Sequence, residues 1–199
     1  MESWIKICGM TTPEAVQAAL DAGADAIGFV FAPSVRQVTP AQARELARPA
    51  RGRVDCVAVT LHPEQALVDA ILREFEPDLL QTDLEDFATL KLPRTQAVLP
   101  VLRPDSAVCG SYPARVLVEG ARSGTGQTSD WTQAMELARA TRVVLAGGLH
   151  AGNVAAAIAA VRPFGVDTSS GVEVQPGAKS PAKIFEFVSA ARAAFGAGT

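Results

Sequence analysis

Short apolar runs recur along the chain, and between them alanine and larger aliphatic residues return every three or four positions. The runs predict strands at 4–8, 25–31, 54–60, 78–82, 96–101, 114–119, 142–146 and 165–168. The intervening stretches predict helices at about 13–22, 40–48, 64–75, 84–90, 130–140, 151–161 and 181–194. Thr12-Pro13-Glu14, Thr39-Pro40 and Ser180-Pro181 each place a capping hydroxyl before a proline at the first helical position, where the missing N–H has no intrahelical acceptor to lose. Regular alternation of strand and helix argues for a parallel α/β fold. Eight strands then predict a compact (β/α)8 TIM barrel, a single domain over residues 1–199, at the lower edge of that fold's length range. The segment from Arg103 to Tyr112 is short and rich in Pro and Gly, so the helix after strand five is expected to be reduced or missing. A doubly wound open sheet is the alternative, but Cys8-Gly9-Met10-Thr11-Thr12-Pro13 after the first strand lacks its G-x-G-x-x-G fingerprint, and Gly124-Thr125-Gly126 lacks the third glycine.

Within the first strand, alternation puts Lys6 and Cys8 on one face, roughly 6 to 7 Å apart, and Ile5 and Ile7 on the other. A cation beside a thiol favours the thiolate, the form that acts as base or nucleophile. Asp167 is expected to face inward as the partner of Lys6, since an unpaired ammonium in a barrel interior is costly. Near the other end of the chain, Gly147-Gly148 and Ser169-Ser170-Gly171 follow consecutive apolar strands. Small residues at strand ends let backbone N–H groups approach a ligand, which is what a phosphate requires. In a barrel the site lies where strands end, so the candidates are Cys8, the segment from Phe31 to Arg36, Gln81 to Asp83, Glu119, Gly147-Gly148 and Ser169 to Gly171.

Composition narrows the ligand. A hydrophobic content of 48% is enough for a substantial core, whereas a net charge of -3 provides no basic field for nucleic acid or anionic membrane. A small molecule is the expected partner. No apolar run approaches the roughly 20 residues that span a bilayer, so a cytoplasmic protein is expected, and a monomer. Three cysteines without paired spacing suggest neither a disulfide framework nor a zinc site. Cys56 reads as strand packing, Cys109 is given no role, and His62 and His150 read as exposed or capping, so no metal ligands are assigned.

Read in order, Lys6-Ile7-Cys8-Gly9-Met10-Thr11, the segment from Gly23 to Phe31, Ser34-Val35-Arg36, the segment from Leu145 to Leu149 and the segment from Val166 to Glu173 closely resemble the phosphoribosylanthranilate isomerase family nearly end to end. The resemblance implies an Amadori rearrangement in tryptophan biosynthesis, from N-(5-phosphoribosyl)anthranilate to 1-(2-carboxyphenylamino)-1-deoxyribulose 5-phosphate, with no cofactor. It implies Cys8 as general base, Arg36 as a clamp on the anthranilate carboxylate, and phosphate held by amides near Gly147, Gly148, Ser169, Ser170 and Gly171, with a short helix after strand eight. Two positions depart from the family pattern. Its acid is an aspartate where this chain has Glu119, which we take as general acid; its Gln-Leu-His-Gly reads Gln81-Thr82-Asp83-Leu84 here, and Asp83 is expected to cap the helix beginning near Leu84. Competing readings are a catalytically impaired phosphosugar-binding barrel, suggested by Glu119, and a related aminoaldose isomerase of histidine biosynthesis, against which Cys8 argues because paired aspartates are expected there.

Overall fold

The computed structural model describes residues 3–103, 112–119 and 131–197. The predicted strands appear as β1 (Trp4–Cys8), β2 (Ala26–Val30), β3 (Asp55–Val59), β4 (Leu79–Asp83), β5 (Ala97–Leu102), β6 (Arg115–Val118), β7 (Arg142–Leu145) and β8 (Gly165–Thr168). They pair in chain order, all parallel, and β8 returns to β1 to close the barrel. Two cores result from the alternation along each strand. Trp4, Ala26, Val57, Leu79, Leu99, Leu117 and Val144 fill the barrel, while Ile5, Ile7, Ile27, Phe29, Leu80, Val116 and Val166 pack outward against the helices. Burial on both faces is why these strands read as continuous apolar runs rather than as apolar–polar alternation.

The helices are α1 (Pro13–Asp21), α2 (Pro40–Ala47), α3 (Gln65–Ala70), α4 (Trp131–Leu137), α5 (Val154–Val161) and α6 (Pro181–Ala197). Thr12 accepts from the N–H of Ala15, and Thr39 forms a reciprocal capping box with Gln42, as the Thr-Pro starts predicted. Four helical expectations need correction. The helix expected over 64–75 changes after Ala70 into a wider π-helical turn, Ile71–Phe75, in which Phe75 packs against Phe29 and Phe31 with ring centroids 5.2 and 5.6 Å away. The helix expected over 84–90 is a 3-10 turn, Leu84–Ala88, with no buried side chain to sustain a longer one. The helix expected over 130–140 is described only as Trp131–Leu137, and that expected from 151 starts at Val154, because Asn153 Oδ1 accepts from the N–H of His150 and holds the preceding residues in a turn. Between β8 and α6 an unforeseen hairpin forms from β9 (Glu173–Gln175) and β10 (Ala178–Lys179). The reduced helix after strand five, the Gly124-Thr125-Gly126 segment and Cys109 lie outside the described residues. Among those described, no helix is long and apolar enough to cross a membrane.

Candidate active site

The inward parity that places Trp4 and Leu117 in the barrel also aims Lys6 and Cys8 of β1, Gln81 and Asp83 of β4, Glu119 after β6, and Asp167 and Ser169 of β8 and its end toward the interior or its C-terminal mouth. Cys8 is paired in register with Gly28, and this glycine makes room for the thiol: a Cβ there would lie 2.9 Å from Cys8 Sγ and 3.1 Å from Lys6 Cε. Lys6 is fully buried and donates to Asp167 Oδ1 at 3.0 Å, across the β1–β8 seam where the two residues are in register. Burial presses the ammonium toward neutrality, but the charge and hydrogen bond of Asp167, with Cys8 acting in the same direction, together outweigh it and hold the lysine pKa above its ordinary value. For Cys8 the balance differs from the sequence expectation. Burial pushes the thiol pKa up, Lys6 and Lys179 pull it down without cancelling that effect, and the negative charge of Asp167 works against them.

Arg36 reaches the same mouth from the loop after β2. Its Nε and Nη2 donate to the two oxygens of Glu173 at 2.7 Å each, so the side chain is ordered by a bidentate pair and not left as a loose surface cation. Lys179, its side chain fully buried, donates to Glu173 Oε1 at 2.7 Å and to the carbonyl and hydroxyl of Ser169 at 3.0 and 3.2 Å. The arginine and lysine together hold the Glu173 carboxyl well below its usual range, at about 2, against a burial effect that would raise it. Gly9 sits among these groups with φ +83°, and a Cβ on it would fall 2.6 Å from Arg36 Cδ, 3.1 Å from Ser169 Oγ and 3.3 Å from Lys179 Nζ. The residue after Cys8 therefore has both the backbone conformation and the bare surface that glycine supplies.

The glycine and serine segments form one turn-lined recess. Asn153 Nδ2 donates to the Gly148 carbonyl at 3.0 Å and Thr168 Oγ1 to the Leu149 carbonyl at 2.6 Å, fixing the loop after β7. Gly171 packs so tightly against this loop that a Cβ would lie 2.0 Å from the Leu149 carbonyl oxygen. The backbone N–H groups of Gly148, Ser169, Ser170 and Gly171 have no acceptor among the described residues. The short helix expected after strand eight is a single 3-10 turn, Ser170–Val172.

On the opposite side of the mouth, Asp83 occupies the N-cap position before the 3-10 turn Leu84–Ala88 but makes no capping hydrogen bond. Arg103 takes its carboxylate instead, Nε lying 3.1 and 2.9 Å from the two oxygens, as the inward parity of Asp83 on β4 allows. The guanidinium also stands 3.6 Å from Glu119 Oε2, so the two carboxylates meet at one arginine. His62 adds an exposed edge: Nδ1 is 2.8 Å from Asp86, whose hydrogen bond raises the imidazole pKa. His62, Asp83 and Glu85 bring potential metal-ligand atoms within 4.8 Å of one another, a grouping not visible in the sequence. With Arg103 on Asp83 and Asp86 on His62, the arrangement is an ion-pair network. Gln81 Oε1, buried in the barrel, has no hydrogen-bond partner among the described residues.

The sequence reading did not single out Arg103 or Lys179, and it assigned Glu173 no role. A lysine in a two-residue strand carries too short a pattern to betray burial; the period of β5, which ends at Leu102, could have indicated that Arg103 turns inward. A cleft of about 500 Å³ at the other end of the barrel, lined by Asp55, Asp78, Arg115 and Arg142 among others, shares no residue with this cluster.

Residues 5–190 match the family model described as N-(5'phosphoribosyl)anthranilate (PRA) isomerase. The chain is 41% identical over 209 residues to the N-(5'-phosphoribosyl)anthranilate isomerase of Azorhizobium caulinodans, covering 96% of this chain and 92% of the relative. Among solved structures, the phosphoribosyl anthranilate isomerase of Thermus thermophilus superposes with a TM-score of 0.82 at 29% identity, covering 96% and 98% of the two chains. An isomerase solved in complex with reduced 1-(o-carboxyphenylamino)-1-deoxyribulose 5-phosphate superposes with a TM-score of 0.79 at 27% identity, covering 96% and 99%.

Proposed function

The chain belongs to the N-(5'-phosphoribosyl)anthranilate isomerase family, and we propose that Cys8 and Glu119 are the base and acid of its reaction. It is an aldose–ketose isomerase of tryptophan biosynthesis. In this reading Glu119 gives a proton to the furanose ring oxygen, the C1–oxygen bond breaks, and the nitrogen lone pair forms an iminium ion at C1. The Cys8 thiolate then removes the proton from C2, and the electron pair left behind gives an enolamine. Tautomerisation of the enolamine, with proton return to C1, yields the aminoketose. Proton transfers carry every step. Arg103, 3.6 Å from Glu119, is placed to receive the negative charge left on the acid once it has donated.

Substrate orientation follows from the two ends of the cluster. The planar fork of Arg36 suits the anthranilate carboxylate, and the amides of Gly148, Ser169, Ser170 and Gly171, with the turn at Gly147, suit the phosphate. Lys6 and Asp167 support Cys8, and Asp83 supports Arg103 and through it Glu119. The single observation that carries this reading is the set of unpartnered amides opening on the same mouth as Cys8. A phosphosugar substrate, one domain over residues 1–199, a cytoplasmic location and a monomeric state complete the proposal. Freshly generated phosphoribosylanthranilate should lose its fluorescence when the protein is added. Binding of the phosphosugar without that loss would instead support the catalytically impaired reading.

A further inference from the structure

The guanidinium of Arg36 has two edges, and only one is occupied. Glu173 takes Nε and Nη2, whereas Nη1 has no partner among the described residues. Glu173 is itself fixed from other directions: Lys179 grips Oε1 at 2.7 Å, and Lys183 Nζ donates to its backbone carbonyl at 2.7 Å. The carboxylate therefore cannot follow the arginine if that side chain swings. Two cations and one anion leave this cluster with one unbalanced positive charge, the complement of a single carboxylate. Lys179 also bonds Ser169, so the same chain of contacts runs to the phosphate recess.

We propose that Glu173, locked by Lys179, is a positioning residue that holds Arg36 by its Nε/Nη2 edge so that the Nη1 edge and the remaining Nη2 hydrogen receive the substrate's carboxylate. The proposal rests on Arg36 being the carboxylate clamp. It assigns Glu173 no contact with substrate; its effect passes through the arginine, whose long side chain would otherwise sample many rotamers.

The test measures binding of two probes, reduced 1-(o-carboxyphenylamino)-1-deoxyribulose 5-phosphate and its counterpart lacking the carboxyl group, to wild type, Arg36→Met, Glu173→Gln and the double variant. Wild type should prefer the carboxylated probe, and Arg36→Met should abolish the preference. Glu173→Gln should weaken the carboxylated probe about tenfold, the scale of one well-placed charged contact, and leave the other within about threefold. The double variant should be no worse than Arg36→Met alone, because Glu173 has nothing left to position. Preference lost in Arg36→Met but kept or enhanced in Glu173→Gln, or additive losses in the double variant, would overturn the positioning role alone. Preference surviving Arg36→Met would overturn the clamp and the positioning role together. Should Glu173→Gln not fold, Glu173→Asp keeps the charge that Lys179 needs but withdraws the carboxylate by roughly 1.5 Å, and the same cycle is read from it.

Discussion

Removing the carboxylate of Asp167 tests the central pair of the barrel. In Asp167→Asn the Lys6 ammonium, with no exposed surface, loses the anion 3.0 Å away. Stranding one member of a buried pair costs about 3–5 kcal/mol. In a domain of this length each kcal/mol moves Tm by about 2–4 °C, so the midpoint should fall by roughly 6–20 °C. The sign of the pH dependence is specific. In wild type the raised lysine pKa contributes stability below the unfolded value of 10.5, and this is lost as pH rises through the folded value. In the variant only Cys8 is left to oppose burial, the lysine pKa falls, and the cost of charging Lys6 is felt below 10.5. The deficit should therefore be large at neutral pH and shrink as pH rises toward and beyond 10.5. Because Asp167 also raises the Cys8 pKa, alkylation of Cys8 by iodoacetamide should quicken in the variant while Lys6 keeps its proton. Thermal melts of wild type, Asp167→Asn and Lys6→Met/Asp167→Leu between pH 6 and about 10.5 provide the measurement. The double variant should recover most of the loss. A deficit below about 1 kcal/mol, or a double variant no more stable than the single one, would refute an uncompensated buried charge as the cause.

Cys8→Ala and Glu119→Gln should each lower kcat by about 10²-fold or more while binding of the reduced product analogue persists; an unimpaired Glu119→Gln would move the acid to another carboxylate, with Asp83 the first to test. The pH–rate limb that follows Cys8 ionisation should lie alkaline of an ordinary thiol and move further up in Lys179→Met, which removes a cation that stabilises the thiolate; no movement would disconnect Lys179 from the base. Gly28→Ala pushes a methyl group to 2.9 Å from Cys8 Sγ and should reduce kcat about tenfold or more by misplacing the thiol, an effect absent if the reacting sulfur lies elsewhere. Glu173, with its pKa lowered to about 2, contributes stability above its unfolded value near 4.5 that is lost as pH falls toward 2, so Glu173→Gln should flatten the acid limb of a stability–pH curve.

The barrel was legible because its strands are buried on both faces, and a run such as Val54 to Thr60 therefore stands out from the Ala-rich helices around it. Inward parity carried Lys6, Cys8 and Asp167 to the same interior without further information. Partnerships formed over distance were harder to read. Asp83 has the local signature of a helix cap, yet its partner Arg103 lies 20 residues on and wins because both side chains point into the barrel. The π-helical turn at Ile71–Phe75 was hidden because apolar spacing fixes which face is buried but not how widely the turn is wound. Lys179 was missed for the opposite reason, being part of a hairpin too short to have a period.

The pairing of β1 with β8 has a consequence for how the chain comes into being on a ribosome. Cys8 emerges with the first barrel strand, but Asp167, which neutralises the lysine beside it, comes from the last barrel strand, and Ser169, which borders its recess, is the residue just after that strand. No truncated intermediate can assemble the constellation, so turnover would appear only after the ring has shut. A circular permutant with new ends away from the catalytic mouth would preserve the finished seam while reversing the order in which its two sides are made. Its onset of activity during translation would report when the barrel closes.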